Sequence, residues 1–279
     1  MATSKAVLIT GCSTGIGRAT AERLASSGWT VYATARRLDS IRDLEGRGCR
    51  LLELDVTDEA SMAAAVGVVE DAEGAVGVLV NNAGYSQSGA VEEVPMDQVR
   101  RQFETNVFGL LRMSQLVLPG MRRQGFGRIV NVSSMGGRLV FPGGGIYHGT
   151  KFAVEAISDA MRWEVRGFGV DVALVEPGLI RTEFGDTAAT SVGETAAGDG
   201  PYAAFNAEVA AKTLGAYEGR MAVGPDAVAK TIERAISARR PKTRYLVTVG
   251  ARALLIQRRL LTDRLWDGLM RTQFKPPRS

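Results

Sequence analysis

The sequence predicts an α/β fold, a doubly wound parallel sheet with helices on both faces, and three observations carry that expectation. Short apolar runs alternate with segments of helical apolar spacing along most of the chain. A glycine-rich turn stands directly between the first run and the first helical segment. Further polar or glycine-rich turns follow later runs, at the carboxyl ends where an open α/β sheet holds its ligands.

Taken in order, residues 6–10 read as a buried strand, followed at once by Gly11, Cys12, Ser13, Thr14, Gly15, Ile16 and Gly17. Residues 18–27 carry Ala19, Leu24 and Ala25 at helical spacing before Gly28 stops them. A strand, a glycine turn and a helix in that order let backbone amides approach a pyrophosphate at the positive end of the helix. Residues 29–35 read as the second strand. It ends in Arg36 and Arg37, close to where a dinucleotide fold places its ribose-reading residue, about 20 residues beyond the motif. An acidic group there bonds a free 2′-hydroxyl, whereas arginines pair with a 2′-phosphate. Both arginines could equally lie solvated in a loop, and Asp39 is expected to cap the next helix.

Residues 49–54 form a third strand, closed by Asp55 and Val56 and followed by an alanine-rich helix to about residue 72. Residues 77–80 form a fourth, closed by Asn81, Asn82, Ala83 and Gly84. A long helix over 108–123, a strand over 128–132, a second long helix over 152–167 and a strand over 170–176 come next, the last ending at Pro177 and Gly178. Helices over 201–218 and 226–238 and a strand over 244–249 complete the order. Such alternation gives right-handed crossovers between parallel strands.

Length and composition fit one large core: 279 residues, 45% hydrophobic and 23% charged, read as a single domain over 1–279. Two cysteines, Cys12 and Cys49, give no disulfide framework, and the one histidine, His148, excludes a multi-histidine metal site, so no metal is expected. A cytoplasmic location is the default, since no apolar leader region precedes the first strand and no apolar run reaches the ~20 residues of a membrane span. Net charge is +4, yet from Arg234 onward twelve Lys or Arg stand against only Asp263 and Asp267. Residues 250–279 therefore read as a basic helical extension. Its leucines and arginines fit either a weak peripheral contact with an anionic membrane or an arginine face solvated while the helix packs on its own domain. Nucleic-acid binding is not expected, because aromatic interleaving and a recognisable module are both missing.

The stretch from Ser134 to Lys151 carries the chemistry. Tyr147 and Lys151 stand four apart, so a helix beginning near Tyr147 projects both from one face. A phenol with a pKa near 10 is a poor base at neutral pH, but a cation held nearby favours the phenolate. Ser134 supplies a hydroxyl to orient a substrate oxygen. His148 points about 100° away from its neighbour on the helix and is read as structural.

In order and spacing these motifs resemble the classical short-chain dehydrogenases/reductases. The matching residues are Thr10 to Gly17 (T-G-x-x-x-G-x-G), Asp55 with Val56, Asn81 to Gly84, Asn106 in a long helix, Ser134, Tyr147, Lys151 and Pro177 with Gly178. The resemblance implies a Rossmann domain with a seven-stranded parallel sheet in the order 3-2-1-4-5-6-7. It implies that Tyr147 is the acid in ketone reduction and the base in alcohol oxidation, and that Ser134 and Tyr147 hold the substrate oxygen. It further implies that Lys151 holds the nicotinamide ribose and depresses the Tyr147 pKa, and that Asn106 positions a water joining Lys151 to solvent. Asn106 also has a plain reading, as a helix-interior residue satisfying a neighbouring backbone group. Cofactor contacts are implied at Gly11, Cys12, Ser13, Gly15, Ile16, Gly17, Arg36, Arg37, Asp55, Val56, Asn82, Ala83, Gly84, Tyr147, Lys151, Pro177, Ile180 and Thr182. The arginines favour NADP(H), with NAD(H) kept open. The long helices pair across a twofold axis in the family, which implies a homodimer.

Residues 183–224 are read as a substrate lid. Within them 187–200 is rich in Ala, Thr, Ser and Gly and reads as a long loop. Tyr202, Phe205, Val209 and Leu214 from the next helix, with Val140, Phe141, Phe184 and Met221, are expected to line an apolar cleft for a lipophilic alcohol or ketone. The C-terminal part and residues 31–36 look like the 17β-hydroxysteroid and retinol dehydrogenase branch, which implies a bulky lipid carbonyl. Two other classes stay open: a regulator that senses NADP(H) without turnover, and an extended-type epimerase or dehydratase. The Tyr–Lys pair speaks against the first, and the spacing of the glycine turn against the second.

Overall fold

A computed structural model describes residues 3–195, 200–219 and 221–277. Seven parallel strands lie in the order β3-β2-β1-β4-β5-β6-β7, as the resemblance implied. They are β1 (Val7–Ile9), β2 (Val31–Ala35), β3 (Cys49–Glu53), β4 (Val78–Asn81), β5 (Gly127–Val132), β6 (Val170–Glu176) and β7 (Arg244–Leu246). Side-chain alternation splits β1 between two apolar layers, with Val7 and Ile9 on one face and Leu8 on the other. The first layer is closed by Leu24 of α1 (Gly15–Ser26) and Ile232 of a helix over Pro225–Ser237. The second is closed by α2 (Glu59–Glu73), by Met113 and Val117 of a helix over Leu110–Gln124, and by Met161 of one over Gly145–Val165. The order reverses between β1 and β4, which opens a crevice at their carboxyl ends.

Several elements depart from expectation. Asp39 does not cap a helix. A tight helical segment runs Leu38–Arg47 from an extended Arg37, and Asp39 sits in its first turn paired with Arg42. A helix α3 (Met96–Phe103) continues through a wide turn, Glu104–Gly109, into α4 (Leu110–Gln124), and Asn106 lies buried in that turn. The second long helix, α5 (Gly145–Val165), starts before residue 152 and includes Tyr147 and Lys151.

The loop expected over 187–200 is instead helix α6 (Glu183–Thr195) for much of its length, while residues 196–199 lie outside the described residues. Alanine is the strongest helix former, Ala188, Ala189 and Val192 are buried, and the hydroxyls of Thr187 and Ser191 donate back to the Glu183 and Ala188 carbonyls. The remaining helices are α7 (Ala203–Glu218), α8 (Pro225–Ser237), α9 (Val249–Leu260) and α10 (Asp263–Gln273). β7 stops short of residue 249 because the Thr248 hydroxyl accepts from the Ala251 amide and opens α9.

The basic extension packs on its own chain. Trp266 is buried with the Arg258 guanidinium 5.6 Å from its ring, the Lys275 amide donates to Glu208, and Lys212 lies 4.7 Å from the Phe274 ring. The residues just after α10 thereby fasten the extension to α7.

Candidate active site

A cleft of about 1040 Å³ lies along the carboxyl ends of the strands. Its floor is the glycine turn. Gly11 has a positive φ of 72°, and a side chain there would press on the Ala83 main chain at 3.0 Å. Gly15 opens α1, and Thr14 before it makes no side-chain cap bond, so it covers none of the first-turn amides that face the cleft. Asn82 fastens the turn by donating from Nδ2 to the Thr10 and Gly11 carbonyls at 3.0 and 2.9 Å. Gly17 lies behind the turn, where a Cβ would fall 2.5 Å from that same Asn82 nitrogen.

Two elements bring the reactive side chains together. Ser134 follows β5, and its Oγ accepts from the Gly136 amide at 3.0 Å. Tyr147 and Lys151 share one face of α5 and line the cleft with Ser134. Lys151 Nζ donates to the Val132 carbonyl at 2.9 Å and lies 5.9 Å from the Tyr147 ring centroid.

In the titration of this group burial is the largest influence. Burial pushes the phenol up to about 12, against a smaller lowering by a hydrogen bond with Ser134. Burial pulls Lys151 down to about 8, with Glu155 acting the other way.

Asn106 is buried behind Gly84, and its Nδ2 donates to the Tyr85 carbonyl at 2.9 Å and to Thr150 Oγ1 at 3.1 Å. Its Oδ1 accepts from the Tyr85 amide at 3.1 Å. The plain reading of this residue therefore describes its amide.

Most of the expected cofactor positions face the cleft: Gly11, Ser13, Gly15, Ile16, Arg36, Asp55, Val56, Asn82, Ala83, Gly84, Pro177, Ile180 and Thr182, with Tyr147 and Lys151. Cys12, Gly17 and Arg37 do not line it. The Cys12 amide is taken by the Thr34 carbonyl at 2.7 Å, and its thiol is fully buried, which pushes its pKa up to about 12. Arg37 is exposed, and its carbonyl accepts from Ser40.

The apolar lining is also corrected, because of the eight side chains expected only Phe184 faces the cleft. Met221 is 68% and Val140 44% exposed, Val209 packs on Gly143, and the Tyr202 hydroxyl donates to Glu92. Sequence reasoning missed Tyr217, whose ring packs tilted against Phe184 at 6.3 Å, as Phe184 packs edge-on against Tyr147 at 5.5 Å. It missed as well a polar wall that includes Gln87, Gln98, Arg101 and Thr190. No spacing rule marks these residues, since the packing of α3, α6, α7 and the loop after β4 brings them to the cleft. Among the described residues no cluster of His, Cys, Asp or Glu could hold a metal ion.

A family model described as short chain dehydrogenase matches residues 5–192. The chain is 36% identical over 268 residues to the uncharacterized oxidoreductase YbbO of Escherichia coli, covering 95% of this chain and 94% of that one. It is 41% identical over 181 residues to a 3-ketodihydrosphingosine reductase of Bacteroides thetaiotaomicron, covering 64% and 65%. Among solved structures it is similar to a short-chain dehydrogenase from Streptomyces avermitilis, with a TM-score of 0.78 at 32% identity and 95% coverage of both chains. At 25% identity it is similar to a Burkholderia phymatum family member in complex with NAD, with a TM-score of 0.79 and both chains fully covered. Also at 25% is a serine dehydrogenase complexed with NADP+, with a TM-score of 0.75 and 86% and 93% covered. Sheet order, cleft and family match agree, and the chain belongs to the short-chain dehydrogenase/reductase family of NAD(P)-dependent oxidoreductases.

Proposed function

We propose that this chain is an NADP(H)-dependent reductase that interconverts a ketone and a secondary alcohol on a lipophilic body, with Tyr147 exchanging the proton. The observation that carries the reading is the convergence of Ser134, Tyr147 and Lys151 on the cleft whose floor is the glycine turn. The turn fits a dinucleotide: the side-chain-free Gly11 and Gly15 let a pyrophosphate approach the first-turn amides of α1. Arg36 at the rim suits a 2′-phosphate, which supports NADP(H), with NAD(H) as the competing cofactor. The nicotinamide, when bound, supplies or takes the hydride.

A phenol with a pKa of about 12 is protonated at neutral pH, so Tyr147 is set to hand its proton to a ketone oxygen, while Ser134 helps hold that oxygen. Lys151 hydrogen-bonds the nicotinamide ribose and, while cationic, favours the phenolate left behind. Asn106, behind Gly84, keeps the Tyr85 segment in place and positions the water through which that proton is replaced.

Phe184 and Tyr217 form an aromatic wall beside Tyr147, and the polar residues that share the cleft suit hydrogen-bonding groups near the carbonyl. Together with the relative named as a 3-ketodihydrosphingosine reductase, they support a long-chain, amphipathic ketone.

The working unit is a homodimer through α4 and α5, supported by the exposed Phe108, Phe152 and Trp163. Free Cys12 and Cys49 support a cytoplasmic setting, and among the described residues no helix is long and apolar enough to cross a membrane. A weak peripheral membrane contact is supported by one face of α9, where exposed Val249, Ile256 and Leu260 align beside Arg252 and Arg259. Consumption of NADPH against long-chain ketones, bulky cyclic ketones and nucleotide sugars tests the activity. Turnover of lipophilic ketones alone is expected. NADPH binding without turnover of any of them, unchanged in Tyr147→Phe, would instead identify a sensor.

A further inference from the structure

We infer that His148 is a positioning residue that fixes the Ser134 hydroxyl relative to Tyr147, a role that rests on the function proposed above. It is the chain's one histidine, it is buried, and its ring bridges two segments. The Phe141 amide donates to Nε2 at 3.3 Å, so Nε2 is the acceptor and the proton sits on Nδ1. Nδ1, 2.9 Å from the Gly136 carbonyl, donates to it. The amide of that same Gly136 donates to Ser134 Oγ at 3.0 Å.

The ring therefore holds the carbonyl of the residue whose N–H occupies one lone pair of the serine oxygen, which leaves the Ser134 proton to point at a substrate oxygen. Because His148 adjoins Tyr147 on α5, with ring centroids 5.7 Å apart, one side chain ties the loop bearing Ser134 to the helix bearing Tyr147 and Lys151. The seat is shaped for it: a side chain at Gly136 would collide with Nδ1, and one at Gly144 would come within 2.7 Å of Nε2. Burial lowers the imidazole pKa and the Gly136 carbonyl raises it, while Tyr147 and Lys151 on its helix and Arg138 on the loop are the ionisable groups nearest in the chain. The neutral ring is the one whose two nitrogens match the two partners.

A double-mutant cycle on the full chain tests this. His148→Leu keeps the bulk and loses both bonds, and should lower kcat about 10- to 100-fold in the otherwise unaltered protein, with NADPH affinity unchanged. In a Ser134→Ala background it should lower kcat less than about 3-fold, because the group it acts through is gone. His148→Asn, which retains a donor near the Nδ1 position, should recover part of the loss. Equal losses in both backgrounds, or none in the first, overturn the inference. A Ser134→Ala variant with full turnover would instead overturn the function it rests on. If the leucine variant does not fold, nitrogen NMR of the single imidazole in the unaltered protein decides: a neutral ring protonated on Nδ1 is expected, and protonation on Nε2 refutes the arrangement.

Discussion

Gly17→Ala isolates the part of the chain that shapes the dinucleotide crevice. Gly17 has no positive φ, so the change carries no backbone strain, yet its Cβ would overlap the Gly11 carbonyl oxygen and lie 2.5 Å from Asn82 Nδ2. Overpacking of this kind costs about 1–3 kcal/mol. Displacing the Asn82 amide sacrifices two hydrogen bonds worth about 2 kcal/mol together. Alanine's better helix propensity returns about 1 kcal/mol. The net loss is on the order of 2–4 kcal/mol, read as a fall in the urea midpoint, and the displaced turn should weaken NADPH binding at least about 10-fold. Gly28→Ala is the control: φ is 83°, nothing lies within 4 Å of its Cβ, and only strain of about 1–2 kcal/mol is expected, with NADPH affinity intact. An unaltered urea midpoint and NADPH affinity in Gly17→Ala, or an equal loss of affinity in Gly28→Ala, would refute the reasoning.

Arg36→Asp should shift preference toward NADH, measured as the ratio of kcat/KM for the two cofactors; unchanged NADPH affinity would mean that the 2′-phosphate is read elsewhere. Arg244 serves three carboxylates, with Nε 2.9 Å from Glu155 and 3.1 Å from Glu176, and Nη2 2.6 Å from Asp159. Arg244→Met should therefore cost about 3 kcal/mol at pH 8. Burial, followed by the charge of Glu155, raises Glu176 from 4.5 to about 6. The folded state thus binds that proton more readily between those values, and the deficit should shrink as pH falls through about 6. Thermal melts across pH check the sign, and a deficit that grows on acidification would contradict it. Ile256→Asp with Leu260→Asp should abolish sedimentation with anionic vesicles while leaving turnover of a water-soluble ketone unchanged; undiminished sedimentation would remove α9 from any membrane contact.

The parts legible in the sequence are those whose chemistry is set by local spacing. Tyr147 and Lys151 face together because four residues are one helical turn, and the glycines at 11 and 15 mark the turn because that backbone needs their φ values of 72° and 58°. Which turn residue faces inward depends on that backbone course, so Cys12, inside the motif, proved buried beneath it. α6 was hidden because threonine and serine read as loop formers until their hydroxyls are seen bonded to helical carbonyls. The titration of Tyr147 was illegible for a tertiary reason, since burial is contributed by neighbours distant in sequence, Phe184 and Tyr217 among them. His148, read as merely structural from its angle on the helix, faces the loop of Ser134, and no spacing rule tells what lies on that side.

The central claim is that the Tyr147 hydroxyl exchanges the proton, and Tyr147→Phe removes that one oxygen while keeping the ring that packs on Phe184 and His148. Ketone reduction by this variant should fall about 10²- to 10⁴-fold, with the NADPH dissociation constant within about 3-fold of the unaltered protein. Reduction at the unaltered rate would contradict the account.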